Sequence, residues 1–289
     1  MTKPVLEAAR LRVDVEDVPE IDGLSFETTG ERVLILAAPP ALFRASAGLV
    51  KPRHGDLLTS GVSPELAVRE RLAAGVPIDP PLPPSWMARE YVAWSARLAG
   101  HGKRDADARA ADALARLKLD SLASLRLRHV PLLARRSLVV AAALATGATT
   151  LFLEDPVRGM AEDAARSFAR IVLRATAGLR MAVFLPRSSL ASPFAIDADE
   201  VLILDGKSVL AQGAPAEVAT RDRSYALRLH GGRGDFARLA EKRGARVSGR
   251  GPSYTVDLGD TLRPNDLLDV AAAAGAVILE LRPLAHAFT

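Results

Sequence analysis

Cysteine is absent from all 289 residues, which excludes a disulfide scaffold and any zinc–thiolate site and is compatible with a reducing compartment. Aromatic side chains are few, with 8 Phe, 3 Tyr and 2 Trp, and stacking platforms for single-stranded nucleic acid need more. Charge of one sign is not in large excess either. Lys and Arg number 38 against 34 Asp and Glu, a formal net charge of +4. The 32 arginines are spread along the chain and form no block, so no nucleic-acid partner is expected. A long apolar run is missing too. The longest uncharged stretch, Ser137 to Leu153, is 17 residues and contains Thr146, Gly147, Thr149 and Thr150, which reads as helix, turn and buried strand rather than a membrane span. The opening residues, with Lys3, Glu7, Arg10, Arg12 and Asp14, leave no room for the apolar core of an export signal. What remains is 49% hydrophobic sequence, enough for a sizeable core in one large domain or two.

Residues 4–15 alternate between apolar and polar side chains, and Gly23–Phe26 follows after a polar break, so the chain opens in strands. The run Val33-Leu34-Ile35-Leu36 is apolar throughout and predicts a strand buried on both faces. A short helix is expected over 42–49, closed by Lys51-Pro52 and His54-Gly55. Residues 77–84 hold five prolines and predict a stiff loop. Helical spacing returns over 86–98 and 105–119, then a buried helix over 138–145 and a buried strand over 150–153 that ends at Glu154-Asp155-Pro156. An amphipathic helix over 162–177, a strand over 181–185 and a hairpin about Asp205-Gly206-Lys207 complete a mainly parallel α/β pattern. From residue 221 the order changes to β-α-β-β-α-β, the ferredoxin-like plan. Two domains are therefore expected, 1–220 and 221–289.

Gly30 to Leu36, followed by Leu42 to Asp56 with its Lys51-Pro52-Arg53-His54-Gly55 turn, resembles the first strand and helix of ABC-transporter ATPase subunits. Leu151-Phe152-Leu153-Glu154-Asp155-Pro156 resembles that family's Walker B strand, and Val201 to Val218 resembles its closing hairpin. The resemblance covers about residues 4–220 and implies an ABC-type core with a helical subdomain over about 79–145.

The positions that would carry the chemistry depart from the family. A phosphate loop uses glycines to wrap backbone N–H groups round the phosphates, a lysine for the β/γ-phosphates and a hydroxyl for Mg²⁺. Here Ala37-Ala38-Pro39-Pro40-Ala41 stands in its place, five residues where the family has about nine, and the two prolines lack N–H donors. Ile78 stands where the family's γ-phosphate-sensing glutamine is placed. Counting back from Glu154, Val130-Pro131-Leu132-Leu133-Ala134 stands for the Leu-Ser-Gly-Gly-Gln signature, and Arg187 for the histidine after the next strand. Val157-Arg158-Gly159-Met160-Ala161 lacks the aspartate of the D-loop. Glu154 and Asp155 are remnants of the Walker B acids in transposed order; a functional reading gives Glu154 the metal and Asp155 the attacking water, and the other reading makes them polar strand-end groups.

Histidines 54, 101, 129, 230 and 286 show no metal-ligand spacing, and no metal is expected. Arg135-Arg136 reads as a solvated helix start or an anion site. Trp86, Tyr91 and Trp94 are at helical spacing, for core packing or a partner groove. The ending Pro283-Leu284-Ala285-His286-Ala287-Phe288 partly resembles the Leu-Glu-Asp-Val-Phe ending of ABC-2 exporter ATPases, without its two acids. The resemblance and its departures together imply a pseudo-ATPase with no cofactor: a structural or regulatory subunit, dimeric, peripheral to the cytoplasmic face of the membrane. Its partners would be an ABC permease and an intact ABC ATPase or a second copy of itself. Two alternatives stay open, an atypical ATPase subunit that takes Mg-ATP only beside a competent partner, and a soluble ABC-fold scaffold outside any transporter.

Overall fold

The computed structural model describes residues 3–187, 192–220, 224–250, 252–259 and 262–283. Apart from a short stretch after Pro186, they divide into two compact units between Gly213 and Ala214.

In the first unit β1 (Leu6–Val15) and β2 (Val18–Glu27) form a hairpin, and β3 (Arg32–Leu36) leads into α1 (Pro40–Ser46). Then come β4 (His54–Thr59), α2 (Pro64–Arg69) and β5 (Ala73–Val76). The helices α3 (Ala88–Leu98), α4 (Lys103–Arg116) and α5 (Leu132–Ala145) follow in succession and pack on one another. The chain returns through β6 (Thr150–Glu154), α6 (Glu162–Ala175), β7 (Arg180–Leu185), β8 (Glu200–Leu204) and β9 (Val209–Gly213).

Two sheets result. One is antiparallel, in the order β2-β1-β4. The other has the order β5-β6-β7-β3-β8-β9, parallel except for β9. Parallel strands are covered on both faces, and Val33 to Leu36 are buried as their apolar run predicts. Helix α1 shares one core with both sheets. Phe43 meets Phe184 edge-on at 5.7 Å, and Phe184 meets Phe152 at 5.9 Å. Burying rings of this size contributes roughly 1.5–3 kcal/mol each. Because all the parallel strands run the same way, the segments after β3, β5 and β6 gather at one edge of the sheet. That edge is where α/β sheets hold ligands.

Four elements differ from what the local sequence predicts. His54-Gly55 does not close a helix but opens β4, which pairs with β1. Gly55 is required there: at φ +74° an added Cβ would lie 2.2 Å from the carbonyl oxygen of Arg10. Helix α2 and strand β5 stand where no element is expected. A start signal for α2 is present, since Ser63 accepts from Leu66 N at 3.4 Å and Pro64 is the first helical residue. Trp86 lies outside α3, which starts at Ala88, because Met87 is held extended as the N-cap, bridged to Arg126 and donating its N–H to Glu90 Oε2 at 2.7 Å.

The second unit holds α7 (Pro215–Thr220), β10 (Ser224–His230), α8 (Arg233–Lys242), β11 (Arg246–Arg250), β12 (Ser253–Asp257), α9 (Asp266–Ala273) and β13 (Val277–Pro283). Its antiparallel sheet has the order β11-β12-β10-β13, the split arrangement of a ferredoxin-like β-α-β-β-α-β unit. Its core is built from Leu227, Leu229, Phe236, Val256, Leu267 and Val270, among others.

Candidate functional site

The connection from β3 to α1 is short and closed. Ala37 takes a left-handed φ of +51°, Ala38 N donates to the carbonyl of Leu185 at 2.9 Å, and Pro39 and Pro40 have no N–H to give. Ala38 and Ala41 are buried. A helix N-terminus attracts an anion because its first amides are unpaired and its dipole end is positive. Here that anion belongs to the chain itself: Glu20, on β2, accepts from Ala41 N at 3.0 Å. The connection carries no glycine cradle, lysine or hydroxyl, and the residues present do not fit a nucleotide phosphate.

The neighbouring strand ends agree. Glu154, at the end of β6, is half-buried and its Oε2 accepts from the backbone of Ile78 at 3.2 Å. Asp155 takes a φ of +37°, with its amide donating to the carbonyl of Phe184 at 2.8 Å and its carbonyl accepting from Arg158 N at 3.1 Å; it has further polar contact as well. The backbone thus uses both acids' positions to tie β6 to its neighbours. Val130 is buried and Pro131 caps α5 without a side-chain hydrogen bond. Leu132 and Leu133, in its first turn, are 63% and 47% exposed. Arg135 Nε donates to the carbonyl of Val130 at 2.9 Å, and Arg136 Nη1 to that of Arg158 at 2.5 Å. Both arginines are half-buried and engaged with backbone carbonyls, so neither is a freely solvated helix-start group. Arg187 is exposed beyond the end of β7.

No family model and no curated protein matches the chain. Solved structures do. CbiO1 from Clostridium perfringens, part of the ABC transporter complex CbiONQ, is similar at 18% identity and a TM-score of 0.64, over 75% of this chain and 91% of that one. An ATP-binding cassette of an ABC transporter matches at 14% identity and a TM-score of 0.65, over 76% and 95%. A nucleotide-free ATP-binding cassette matches at 14% and 0.62, over 75% and 94%. The fold is that of an ATP-binding cassette.

Within this cassette fold the acids and the phosphate-loop position share one edge, while two other features lie on the helical side. One is a cleft of about 210 Å³ between the loop after β5 and the start of α5, lined by Ile78, Asp79, Leu82, Leu132, Arg136 and Val139. The other is a groove of about 550 Å³ between β5, α2, α3 and α5, lined in part by Val68, Arg71, Ala74, Tyr91, Leu98 and Ala142. Burial pushes the Tyr91 phenol above its ordinary pKa. Trp94 packs edge-on against Trp86 at 5.7 Å and carries Arg97 over its face at 5.3 Å. The two tryptophans therefore pack on each other, whereas Tyr91 faces the groove.

Among the described residues no group of three or more His, Asp or Glu side chains is placed to hold a metal. His101 is tied structurally, Nδ1 to Asp105 Oδ2 and Nε2 to the carbonyl of Thr146, both at 2.8 Å. His54 and His129 are exposed, and His230 ends β10. His286 and the ending over 284–288 lie outside the described residues. Glu20 and Glu200, both central to how this cassette is closed, carry no signal in the local sequence.

Proposed function

We propose that this chain is an ABC-type subunit that neither binds nor hydrolyses Mg-ATP and acts as a structural or regulatory partner in an ABC export complex at the cytoplasmic face of the membrane. The observation that carries the reading is the closed connection over 37–41, whose helix start is already occupied by the carboxylate of Glu20. A phosphate would have to displace an internal anion and would find no replacement donors. No helix among the described residues is long and apolar enough to cross a membrane, so membrane attachment would come through a permease. The groove beside Tyr91 and Leu98 is suited to receive a permease segment, since it is apolar and flanked by Arg69 and Arg71. The other subunit of the pair would be an intact ATPase or a second copy.

Calorimetry of the full chain with Mg-ATP tests the reading. No binding is expected at millimolar nucleotide. A dissociation constant below about 100 μM, near −5.5 kcal/mol, would overturn it in favour of an atypical ATPase that uses Glu154 and Asp155. Purification from the native membrane fraction tests the partnership, with a multi-span permease expected to accompany the chain; its absence would favour a scaffold outside any transporter.

A further inference from the structure

The sheet of the second unit has two unlike faces. Leu227, Leu229, Tyr254 and Val256 join Phe236 of α8 and Val270 of α9 in one core, so the alternate residues of β10 and β12 lie on the other face. There Arg228 stands opposite Ser253 on one side and opposite Glu280 on the other. Side chains paired in this way start about 5 Å apart at Cβ. The next row along holds Ala226 opposite Thr255. Just past Arg228 the register slips, with Leu229 facing Ile278, and such a bulge bends its strand and re-aims the neighbouring side chain, here that of Glu280.

Small side chains set between two long charged ones leave a hollow of about 250 Å³, lined in part by Ala226, Arg228, Ser253, Thr255 and Glu280. Arg228 is exposed, and its guanidinium makes no ion pair or hydrogen bond among the described residues. Glu280 is half-buried and has a contact of its own, and a carboxylate with two oxygens accepts more than one donor. The two hydroxyls add donors and acceptors between the charges. A plain anion here would meet the repulsion of Glu280, and a plain cation that of Arg228. A molecule that carries both signs a few ångströms apart satisfies both. The hollow is smaller than the ~300–1,000 Å³ pockets that hold drug-sized ligands, so that molecule is small.

We propose that this hollow binds a small zwitterionic α-amino acid. Its carboxylate lies on the Arg228 guanidinium and the Ser253 hydroxyl, its ammonium on Glu280, and its side chain over Ala226 and Thr255. Guanidinium and carboxylate form the strong, charge-assisted kind of hydrogen bond, and the reversed polarity at Glu280 rejects molecules that carry an anion alone. The ligand bridges β12, β10 and β13. The site goes beyond the proposed function, because it lies wholly in the second unit and needs no nucleotide chemistry in the first.

Calorimetric titration of the full chain with glycine, L-alanine, L-serine, L-threonine and L-valine is the test, with acetate and ethylamine as the two half-ligands. At least one of the amino acids is expected to bind with a dissociation constant below about 1 mM, and each half-ligand at least tenfold more weakly. Arg228→Met and Glu280→Gln should each weaken the amino acid at least tenfold. Thr255→Leu, which fills the hollow and leaves both charges in place, gives a second route to the same loss, and melting curves check that each variant stays folded. Binding of none of the five, a half-ligand bound as tightly as the amino acid, or an affinity indifferent to Arg228→Met and Glu280→Gln overturns the proposal. Binding of Mg-ATP by the chain would sink the proposed function and leave this site standing.

Discussion

The two edges of the six-stranded sheet differ in where they keep polar side chains. At the edge where the parallel strands begin, Glu200 is 3% exposed and fully engaged. Its oxygens accept from Thr29 N at 2.7 Å, Gly30 N at 2.8 Å, Thr29 Oγ1 at 3.0 Å and Gln212 Nε2 at 2.7 Å. Asp199 accepts from Arg32 N at 3.0 Å, while the Arg32 guanidinium pairs with Asp197 and donates to the carbonyl of Leu179 at 2.9 Å. Gly30 fits only because it lacks a side chain, since a Cβ would come within 2.9 Å of the Glu200 Cβ. At the opposite edge, where ligands of such sheets bind, alanine and proline fill the connection over 37–41, and the half-buried Glu20 and Glu154 each accept from one backbone amide. This chain thus places its buried charge where the turn before β3 has amides to satisfy. It places almost none where phosphate chemistry would need it.

Removing the charge at the opening edge tests the comparison most severely. Glu200→Ala strips the acceptor from two backbone amides, a hydroxyl and a side-chain amide at a buried point, and a loss of about 3 kcal/mol is expected. Urea denaturation measures it; a loss under about 1 kcal/mol would mean that water replaces the carboxylate and that the edge is not built on it. At the closing edge one such clasp is Glu20 on α1. Glu20→Ala should cost about 1 kcal/mol, the usual scale for losing an N-terminal cap with its charge, and Glu20→Gln, which keeps an acceptor, should cost less. Equal effects from Glu20→Ala and Glu200→Ala would erase the contrast. The smallest effect belongs to Glu154. Glu154→Gln can still accept from Ile78, so stability should move by less than about 0.5 kcal/mol. A larger shift in the denaturation midpoint would show that its charge serves the fold.

The strands and helices with strong local patterns are legible in the residues themselves. Val33 to Leu36 announce a strand covered on both faces, and the amphipathic 162–177 stretch announces α6, which buries Phe168 and Val172 while Arg166 pairs with Glu162 and Asp163 on the other face. The second unit's element order is legible for the same reason. Strand β4 is hidden because His54-Gly55-Asp56 disfavours strands locally and exists as one only by pairing with β1, Leu57 lying opposite Ala8. Strand β5 is four residues, Ala73-Ala74-Gly75-Val76, with too little β propensity to stand out and a single parallel partner, β6, to hold it.

The candidate site divides along the same line. That the connection over 37–41 lacks glycine, lysine and hydroxyl follows from residue identity alone, since no fold can supply a side-chain donor to alanine or an N–H to proline. That the vacated helix start is taken by Glu20, 21 residues earlier, and that Glu200 closes a turn 170 residues away, cannot be read from the chain. Those pairings depend on which strands lie side by side. Propensity and periodicity act over a few residues, and only the packed sheet brings distant carboxylates within hydrogen-bond reach of the amides they satisfy.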